Sequence, residues 1–313
     1  MLNRQGSMDE FVIQTDGLTK RYKNVVAVDD LSMEIRRGRV YGLLGPNGSG
    51  KTTTMGLLLG LLKPTSGTFS LFGSPDGHEA SLRRVGAIIE SPAFYPYLSG
   101  FQNLKYYQII SGGGSEEEIE SLIDRVGLAG RGNDRFRTYS LGMKQRLGIA
   151  YALLGDPDLV FLDEPTNGLD PEGMIEVREL IRSLGDGNRT VLLSSHLLHE
   201  VAQVCDSVTI ISKGRLIAQG EVSQLVAMSG SEQICIKTTD NSKARQVLSA
   251  LDWVEGISIH EDSLLVTASI KRSAELTAAL ANAGVFVAEM MPVRTSLEEY
   301  FLEVTGHGEE GSL

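Results

Sequence analysis

The sequence predicts an α/β protein with a mixed sheet, an antiparallel sheet edge and a helical lobe, followed by a smaller α+β domain. A glycine-rich loop joins the apolar segment 40–44 to a helical segment, and apolar and helical segments then alternate to about residue 220. Such alternation is typical of a mostly parallel sheet covered on both faces. We therefore expect a tail at 1–10, a first domain at 11–222 and a second domain at 223–313.

The first domain begins with short β segments. Residues 11–35 are interrupted by the turn residues Gly17, Lys23-Asn24 and Asp29-Asp30, which predicts an antiparallel sheet edge. A loop rich in proline and aromatic residues then opens helical sequence over 91–155, which predicts a separate helical lobe. Further strands of the parallel sheet are expected at 68–72, 85–89, 159–162 and 190–194.

The second domain has a different order of elements, β-α-β-β-α-β, which is the ferredoxin-like arrangement. Ser296 is a suitable N-cap for one last helix. The strands are expected at 234–238, 254–259, 263–268 and 285–290, and the helices at 243–251 and 274–283.

The glycine-rich loop has the spacing of a phosphate-binding loop. In such loops the glycines let backbone N–H groups converge on phosphate oxygens at a helix N-terminus, where the helix dipole also favours negative charge. Lys51 is then expected to reach the β- and γ-phosphates, and the Thr52 hydroxyl to ligate Mg²⁺. The nucleotide-binding residues that we assign to this loop are Gly45, Pro46, Asn47, Gly48, Ser49, Gly50, Lys51, Thr52 and Thr53.

A second motif supplies two adjacent carboxylates. The apolar strand 159–162 leads directly into Asp163 and Glu164. We expect Asp163 to hold the same Mg²⁺ from a neighbouring strand, and Glu164 to orient and deprotonate an attacking water. The two motifs together predict an ATP or GTP hydrolase.

Composition excludes several classes of protein. The formal net charge of -11 argues against a nucleic-acid-binding surface. Apolar stretches such as 57–62 are far shorter than the ~20 residues needed to cross a bilayer, and residues 1–10 lack the apolar core of a signal peptide, so we expect a cytosolic protein. Cys205 and Cys235 have no paired spacing, which fits a reducing compartment and excludes a zinc ribbon.

Between the two motifs, residues 139–146 read Tyr-Ser-Leu-Gly-Met-Lys-Gln-Arg, and Ser140 can cap the helix that follows. The order of motifs over residues 18–220 resembles the ATP-binding cassette (ABC) ATPases. In that family a Leu-Ser-Gly-Gly-Gln signature presents its serine and second glycine to the γ-phosphate bound by a partner subunit. The resemblance implies that Ser140 and Gly142 keep these contacts, and that two copies of the chain form an ATP-dependent homodimer.

The resemblance to this family also implies roles for three further residues of the chain. Tyr22 matches the aromatic residue that stacks on adenine, although a tyrosine in a strand can also pack on the core. Asp170 matches the loop that links the two sites across the dimer, although Asp170-Pro171 is also an ordinary helix start. His196 matches the histidine that contacts the γ-phosphate and steadies the water. It follows a strand end, where ligands of open α/β sheets collect.

Glu90 stands where the family usually has glutamine, whose oxygen meets Mg²⁺ and senses the membrane partner. A carboxylate can also ligate Mg²⁺, although a solvated glutamate without a metal role is the alternative. The signature departs from the family pattern as well, with Leu141 and Met143 replacing its first glycine and its glutamine. With the segment 296–301, these features resemble the bacitracin and lantibiotic self-immunity exporters.

Aromatic residues cluster shortly after Glu90, and they can form either the core of the helical lobe or an apolar groove for a partner helix. In ABC transporters such a groove docks a cytoplasmic helix of the permease. The resemblance therefore implies that integral membrane permease subunits dock near 94–107. The cluster consists of Phe94, Tyr95, Tyr97, Phe101, Tyr106 and Tyr107.

The leading hypothesis is an ATP-hydrolysing subunit that powers export of a peptide antibiotic or similar amphiphile through separate permease subunits at the inner face of the cell membrane. The alternative is a soluble ABC ATPase acting on nucleic acid or ribosomes, but the sequence shows no second cassette, coiled-coil insert, zinc cysteines or basic face. A module that binds ATP without turnover is a third hypothesis. The presence of Asp163, Glu164 and His196 argues against it, because hydrolysis should then be intact. The second domain can be a ligand sensor or a stabilising lid.

Overall fold

The computed structural model describes residues 11–75, 79–90, 93–185, 187, 189–228, 233–260, 262–293, 297–298 and 300–301. The chain divides into two compact units, Met1–Ser223 and Gln224–Leu313. The predicted tail 1–10 and the predicted cap Ser296 lie outside the described residues.

The first unit contains two sheets. The antiparallel one has the order β2-β1-β5-β6, and β3 also pairs with β1. Its strands are β1 (Phe11–Tyr22), β2 (Val25–Leu31), β3 (Glu34–Arg36), β5 (Ser66–Leu71) and β6 (Ser74–Pro75). The second sheet has the strands β4 (Val40–Leu44), β7 (Val85–Ile88), β8 (Leu159–Asp163), β9 (Thr190–Ser195), β10 (Ser207–Ser212) and β11 (Arg215–Glu221).

The second sheet has the order β11-β10-β4-β9-β8-β7, and only the β10–β11 pair in it is antiparallel. Every residue of β4, β8 and β9 is buried, as expected for parallel strands covered on both faces. Ser195 pairs with Leu44, and Ser194 pairs with Asp163. The loops that follow these three strands therefore open at the same edge of the sheet.

The strand predicted at 68–72 was assigned to the wrong sheet. It forms β5, which pairs antiparallel with β1, with Leu71 opposite Ile13. The physical reason lies in its alternating pattern, in which Phe69 and Leu71 are buried and the residues between and before them are not. A strand with one solvated face suits an antiparallel sheet, whereas the parallel strands β4, β8 and β9 are buried along their whole length.

Helices surround the second sheet and form the region between β7 and β8. Within the described residues, no helix combines the length and apolar character required to cross a bilayer. Serine side chains cap α3, α4 and α5, as was predicted for Ser140. The helices are α1 (Lys51–Leu58), α2 (Glu79–Leu82), α3 (Gly100–Ile110), α4 (Glu116–Arg125), α5 (Leu141–Ala152), α6 (Pro171–Gly185), α7 (Leu198–Val204) and α8 (Val222–Met228).

One hydrophobic core joins both sheets of the first unit. It contains Met55, Leu57 and Leu58 from α1, together with side chains from both sheets, such as Ile13 and Phe161. These five side chains are completely buried. The helix that follows the phosphate-binding loop is thus fixed between the two sheets.

The second unit has the element order β-α-β-β-α-β in its described residues. Its sheet is antiparallel with the order β13-β14-β12-β15, and its own core packs beneath one face. The elements are β12 (Gln233–Thr238), α9 (Asn241–Ser249), β13 (Gly256–His260), β14 (Ser263–Thr267), α10 (Ser273–Asn282) and β15 (Val287–Val293).

Candidate nucleotide site

The phosphate-binding loop connects β4 to α1, and two of its glycines occupy positions that no other residue can take without a shift. Gly50 has a φ of 105° and is the N-cap of α1. A Cβ atom at Gly50 would lie 2.3 Å from the carbonyl oxygen of Ala27, and one at Gly45 would lie 2.2 Å from that of Ile211. Glycine at both positions therefore allows the close backbone approach that gives the loop its path.

The loop offers donors that fit an anion. Lys51 is 6% exposed, and its Nζ donates a hydrogen bond to the carbonyl oxygen of Gly45 at 2.8 Å. The Ser49 hydroxyl is buried and has no hydrogen-bond partner among the described residues. A buried ammonium, an unpaired hydroxyl and the positive end of α1 suit the phosphates of a nucleotide. Around them, Pro46, Asn47, Gly48 and Thr52 are exposed and Thr53 is half-buried.

Thr52 and Asp163 lie in direct contact, as the predicted metal site requires. The Thr52 hydroxyl donates to Oδ2 of Asp163 at 2.9 Å. A hydroxyl and a carboxylate offer the oxygen ligands that Mg²⁺ prefers. The third predicted ligand, Glu90, follows β7, has a φ of 61° and is exposed. No hydrogen bond in the described part of the chain joins Glu90 to Thr52 or Asp163, and its metal role stays a prediction.

Glu164 lies between two of the other predicted site residues. Its Oε1 is 3.4 Å from Nζ of Lys51, and its Oε2 is 2.9 Å from Nδ1 of His196. Glu164 has a φ of 48°, a left-handed backbone conformation that costs on the order of 1–3 kcal/mol in a residue other than glycine. The strained backbone turns the side chain out of the sheet, at the edge where the phosphate-binding loop opens.

Ser194 is a residue of this site that sequence reasoning missed. Its Oγ accepts a hydrogen bond from the backbone N–H of Glu164 at 2.9 Å and donates one to Oδ1 of Asp163. It thus holds both carboxylate residues from the neighbouring strand. Ser194 is completely buried, and a serine directly after the apolar run 191–193 is the signal that could have identified it, because buried polar groups need partners.

Ser140, Gly142 and Asp170 line one cleft of about 490 Å³. Ser140 Oγ accepts from the backbone N–H of Met143 at 3.2 Å and caps α5, and Oδ1 of Asp170 accepts from the N–H of Gly173 at 3.0 Å and caps α6. Both residues are exposed. The residues lining this cleft include none from the phosphate-binding loop, so the cleft is separate from that loop.

Tyr22 ends β1 with its ring 43% exposed, which argues against the alternative that it packs on the core. The Nζ of Lys20 lies 5.0 Å from the centre of the ring. An exposed aromatic ring with a cation beside it can stack on a base, because base stacking needs a free ring face.

The aromatic cluster contributes Phe94 and Tyr107 to the lining of a groove of about 450 Å³ and also packs on itself. Phe94 is buried and makes edge-to-face contacts with Tyr107 and Phe136, at centroid distances of 5.8 and 5.1 Å. Tyr97, in contrast, is 74% exposed. The cluster therefore contributes both to the hydrophobic core of this region and to the lining of the groove. The groove is lined by Leu59, Leu61, Leu82, Val85, Ala87, Ile88, Ile89, Ala93, Phe94, Tyr107 and Tyr151.

The relatives found by comparison with known proteins agree with one another. The family model described as ABC transporter matches residues 28–167. The chain is 39% identical to an uncharacterized ABC transporter ATP-binding protein, YdbJ, of Bacillus subtilis (strain 168), over 97% of this chain and 99% of that protein. It is 38% identical to the bacitracin transport ATP-binding protein BcrA of Bacillus licheniformis, over 96% and 99%.

Two further matches agree with these. The daunorubicin resistance ATP-binding protein DrrA3 of Streptomyces coeruleorubidus is 35% identical, over 96% of this chain and 97% of that protein. A solved structure of the ATP-binding subunit of an ABC transporter is 29% identical, with a TM-score of 0.61, over 69% of this chain and 92% of that one.

Proposed function

This chain belongs to the ABC transporter family of ATP-binding proteins, which hydrolyse ATP to power transport, and we propose that it is the ATPase subunit of an exporter. The observation that carries the proposal is the convergence of Lys51, Glu164 and His196 at one sheet edge, beside a loop that fits phosphate. This arrangement supports turnover rather than binding alone.

In the proposed mechanism, Lys51 and the N-terminal end of α1 bind and orient the phosphates. Mg²⁺, held by Thr52 and Asp163, would neutralise charge on the phosphates when bound. Glu164 accepts a proton from the attacking water at its carboxylate, and the side chain of His196 keeps that carboxylate in place.

We further propose that two copies of the chain complete each other's sites. Ser140 and Gly142 lie in a cleft that excludes the phosphate-binding loop, so a partner subunit must supply them to the nucleotide. Asp170 lines the same cleft and is proposed to link the two sites across the dimer. Tyr22, with its exposed ring, is proposed to stack on the adenine.

Membrane permease subunits are the proposed partners of the apolar groove beside Phe94 and Tyr107. The groove is lined by aliphatic and aromatic side chains, which suits an inserted helix. Docking there would place the chain at the cytoplasmic face of the membrane without a membrane span of its own. Glu90 immediately precedes this region and is proposed to sense the docked permease.

The proposed substrate is a peptide antibiotic or similar amphiphile. BcrA is by name a bacitracin transport protein and DrrA3 a daunorubicin resistance protein, and both match almost the full length of this chain. These relatives do not favour the alternative of a soluble ATPase acting on nucleic acid or ribosomes, and the net charge of -11 argues against it as well.

For domain organisation we propose an ATPase domain at 11–222 with a helical lobe at about 91–155, and a ferredoxin-like accessory domain at 223–313. The observed strand order of the second unit supports the ferredoxin-like assignment, because the first and third strands of a β-α-β-β-α-β unit lie side by side in its centre.

The test is co-expression of the chain with a candidate membrane permease from its own genome in a bacitracin-sensitive bacterium. We expect resistance to bacitracin to rise with the native chain and to stay at the vector level with Glu164→Gln. ATP-dependent bacitracin uptake into inverted vesicles from the same cells should follow the same pattern. Resistance that is equal for both chains would contradict the proposal.

A further inference from the structure

Thr166 and Glu200 form a buried hydrogen bond behind the candidate site. The Thr166 hydroxyl donates to Oε2 of Glu200 at 2.7 Å. The two residues are only 7% and 4% exposed. A carboxylate this deeply buried is costly to keep without a partner, so the bond holds its two segments firmly together.

These segments are the ones that carry Glu164 and His196. Thr166 is two residues beyond Glu164, in the turn closed by the hydrogen bond from the N–H of Asn167 to the carbonyl oxygen of Glu164 at 3.1 Å. Glu200 is four residues beyond His196, in α7. The same two segments are therefore joined twice, once at the surface through Glu164 and His196 and once beneath it through Thr166 and Glu200.

The hydrogen bond between Thr166 and Glu200 helps to fix the position of α7. The helix α7 has only seven residues, and its N-cap, Leu197, makes no side-chain capping bond. So short a helix depends on its packing and on side-chain contacts for its position. Glu200 provides such a contact in the first turn, next to the segment from which His196 projects.

We propose that Thr166 and Glu200 are positioning residues for ATP hydrolysis, which set the distance between the carboxylate of Glu164 and the imidazole of His196. The inference rests on the proposed roles of those two residues. Neither Thr166 nor Glu200 touches the nucleotide, and both act by fixing the loop and the helix that carry the reacting groups.

The test compares Thr166→Val with Thr166→Ser in the purified full-length chain. Valine keeps the shape of threonine but cannot donate, whereas serine keeps the hydroxyl and loses the methyl group. We expect kcat to fall about tenfold or more in Thr166→Val, because a small displacement of reacting groups is costly. Nucleotide affinity should change little, and Thr166→Ser and Glu200→Gln, which both preserve the bond, should keep most of kcat.

Gln203→Ala is the matched control, because the bond from Arg178 to Gln203 at 2.7 Å also holds α7, but it is exposed and joins α7 to α6 rather than to the turn after Glu164. It should leave kcat unchanged. If Thr166→Val fails to fold, the double variant Thr166→Val, Glu200→Met replaces it, since it leaves no buried polar group unpaired. That variant should fold and still show the loss in kcat.

Two results separate the inference from the proposal on which it rests. If Glu164→Gln abolishes turnover but Thr166→Val has native kcat, or if Thr166→Ser is as impaired as Thr166→Val, the positioning role is wrong and the catalytic assignment stands. If Glu164→Gln itself hydrolyses ATP normally, the catalytic assignment fails, and the inference fails with it.

Discussion

The carboxylate of Glu164 contacts the imidazole of His196 across two neighbouring parallel strands, with 2.9 Å between Oε2 and Nδ1. Its other oxygen is 3.4 Å from Nζ of Lys51. Because each carboxylate oxygen faces a different partner, rotation of the group is restricted. A base held in this way needs little reorganisation when it accepts a proton, which is how preorganised sites lower reaction barriers.

We expect Glu164→Gln to bind ATP but to hydrolyse it about 10²–10⁴-fold more slowly, since only the proton acceptor is lost. The variant should also accumulate as an ATP-bound dimer, visible by gel filtration with ATP and Mg²⁺. Glu179→Gln, at an exposed position in α6, is the control and should retain native turnover. Normal hydrolysis by Glu164→Gln would show that another group is the base.

The rate of hydrolysis per chain should rise with protein concentration, because Ser140 and Gly142 are proposed to come from a second copy. Mixing Lys51→Ala with Ser140→Arg should partly restore activity, since one of the two sites in each heterodimer is then intact. Ser115→Arg also removes a helix cap and controls for stability; it should be active on its own. A rate independent of concentration in a proven monomer would contradict the composite site.

Glu90→Gln is expected to leave nucleotide affinity nearly unchanged, because Lys51, Thr52 and Asp163, which are proposed to hold the phosphates and the metal, are unaltered. Transport and substrate-stimulated hydrolysis in the reconstituted permease complex should fall, while basal hydrolysis by the isolated subunit changes much less. The exposed Glu120→Gln provides the comparison, since loss of a solvated charge is usually worth less than ~1 kcal/mol. Unchanged transport and unchanged Mg²⁺ dependence in Glu90→Gln would make Glu90 a bystander.

Ser194→Ala should lower the free energy of unfolding by about 1–3 kcal/mol, because the N–H of Glu164 then loses its buried acceptor. Hydrolysis should fall as well, since Glu164 and Asp163 lose their shared support. Thr209 offers a contrast on β10: its hydroxyl is buried without a partner among the described residues. Thr209→Val should therefore leave stability unchanged or raise it by up to about 1 kcal/mol, and both effects are measurable by denaturant titration.

The two cysteines should differ in reactivity. Burial raises the pKa of the Cys205 thiol well above its ordinary value, and the charge of Asp206 raises it further. A raised pKa lowers the fraction of reactive thiolate at any given pH, so Cys205 should resist alkylation in the native protein. Cys235 is half-buried and should react first. A thiol assay in buffer and in denaturant tests this, and Cys235→Ser should abolish the native reaction.

The sequence was sufficient to predict the features encoded by neighbouring residues. The glycine-rich loop between β4 and α1, the helix capped by Ser140 and the antiparallel segment at the start of the chain all depend on local spacing, and all were observed. Asp163 was expected on the strand next to β4, but β9 lies between the two strands. Asp163 nevertheless lies within hydrogen-bond distance of Thr52.

Features that depend on distant pairing could not be predicted in the same way. The sheet that β5 joins is decided by its pairing with β1, and no local signal in the segment specified that partner. Ser194 was missed because the groups it supports are 30 and 31 residues away. The bond between Thr166 and Glu200 was not predicted either, because its two residues are 34 positions apart in the sequence.

The burial of α1 between both sheets has a mechanical consequence for energy conversion. Met55, Leu57 and Leu58 have no exposed surface, and a close-packed interior is hardly compressible. A displacement of the loop at the start of this helix therefore cannot be absorbed by compression of the core around it. It is expected to reach the residues of both sheets that pack against the helix.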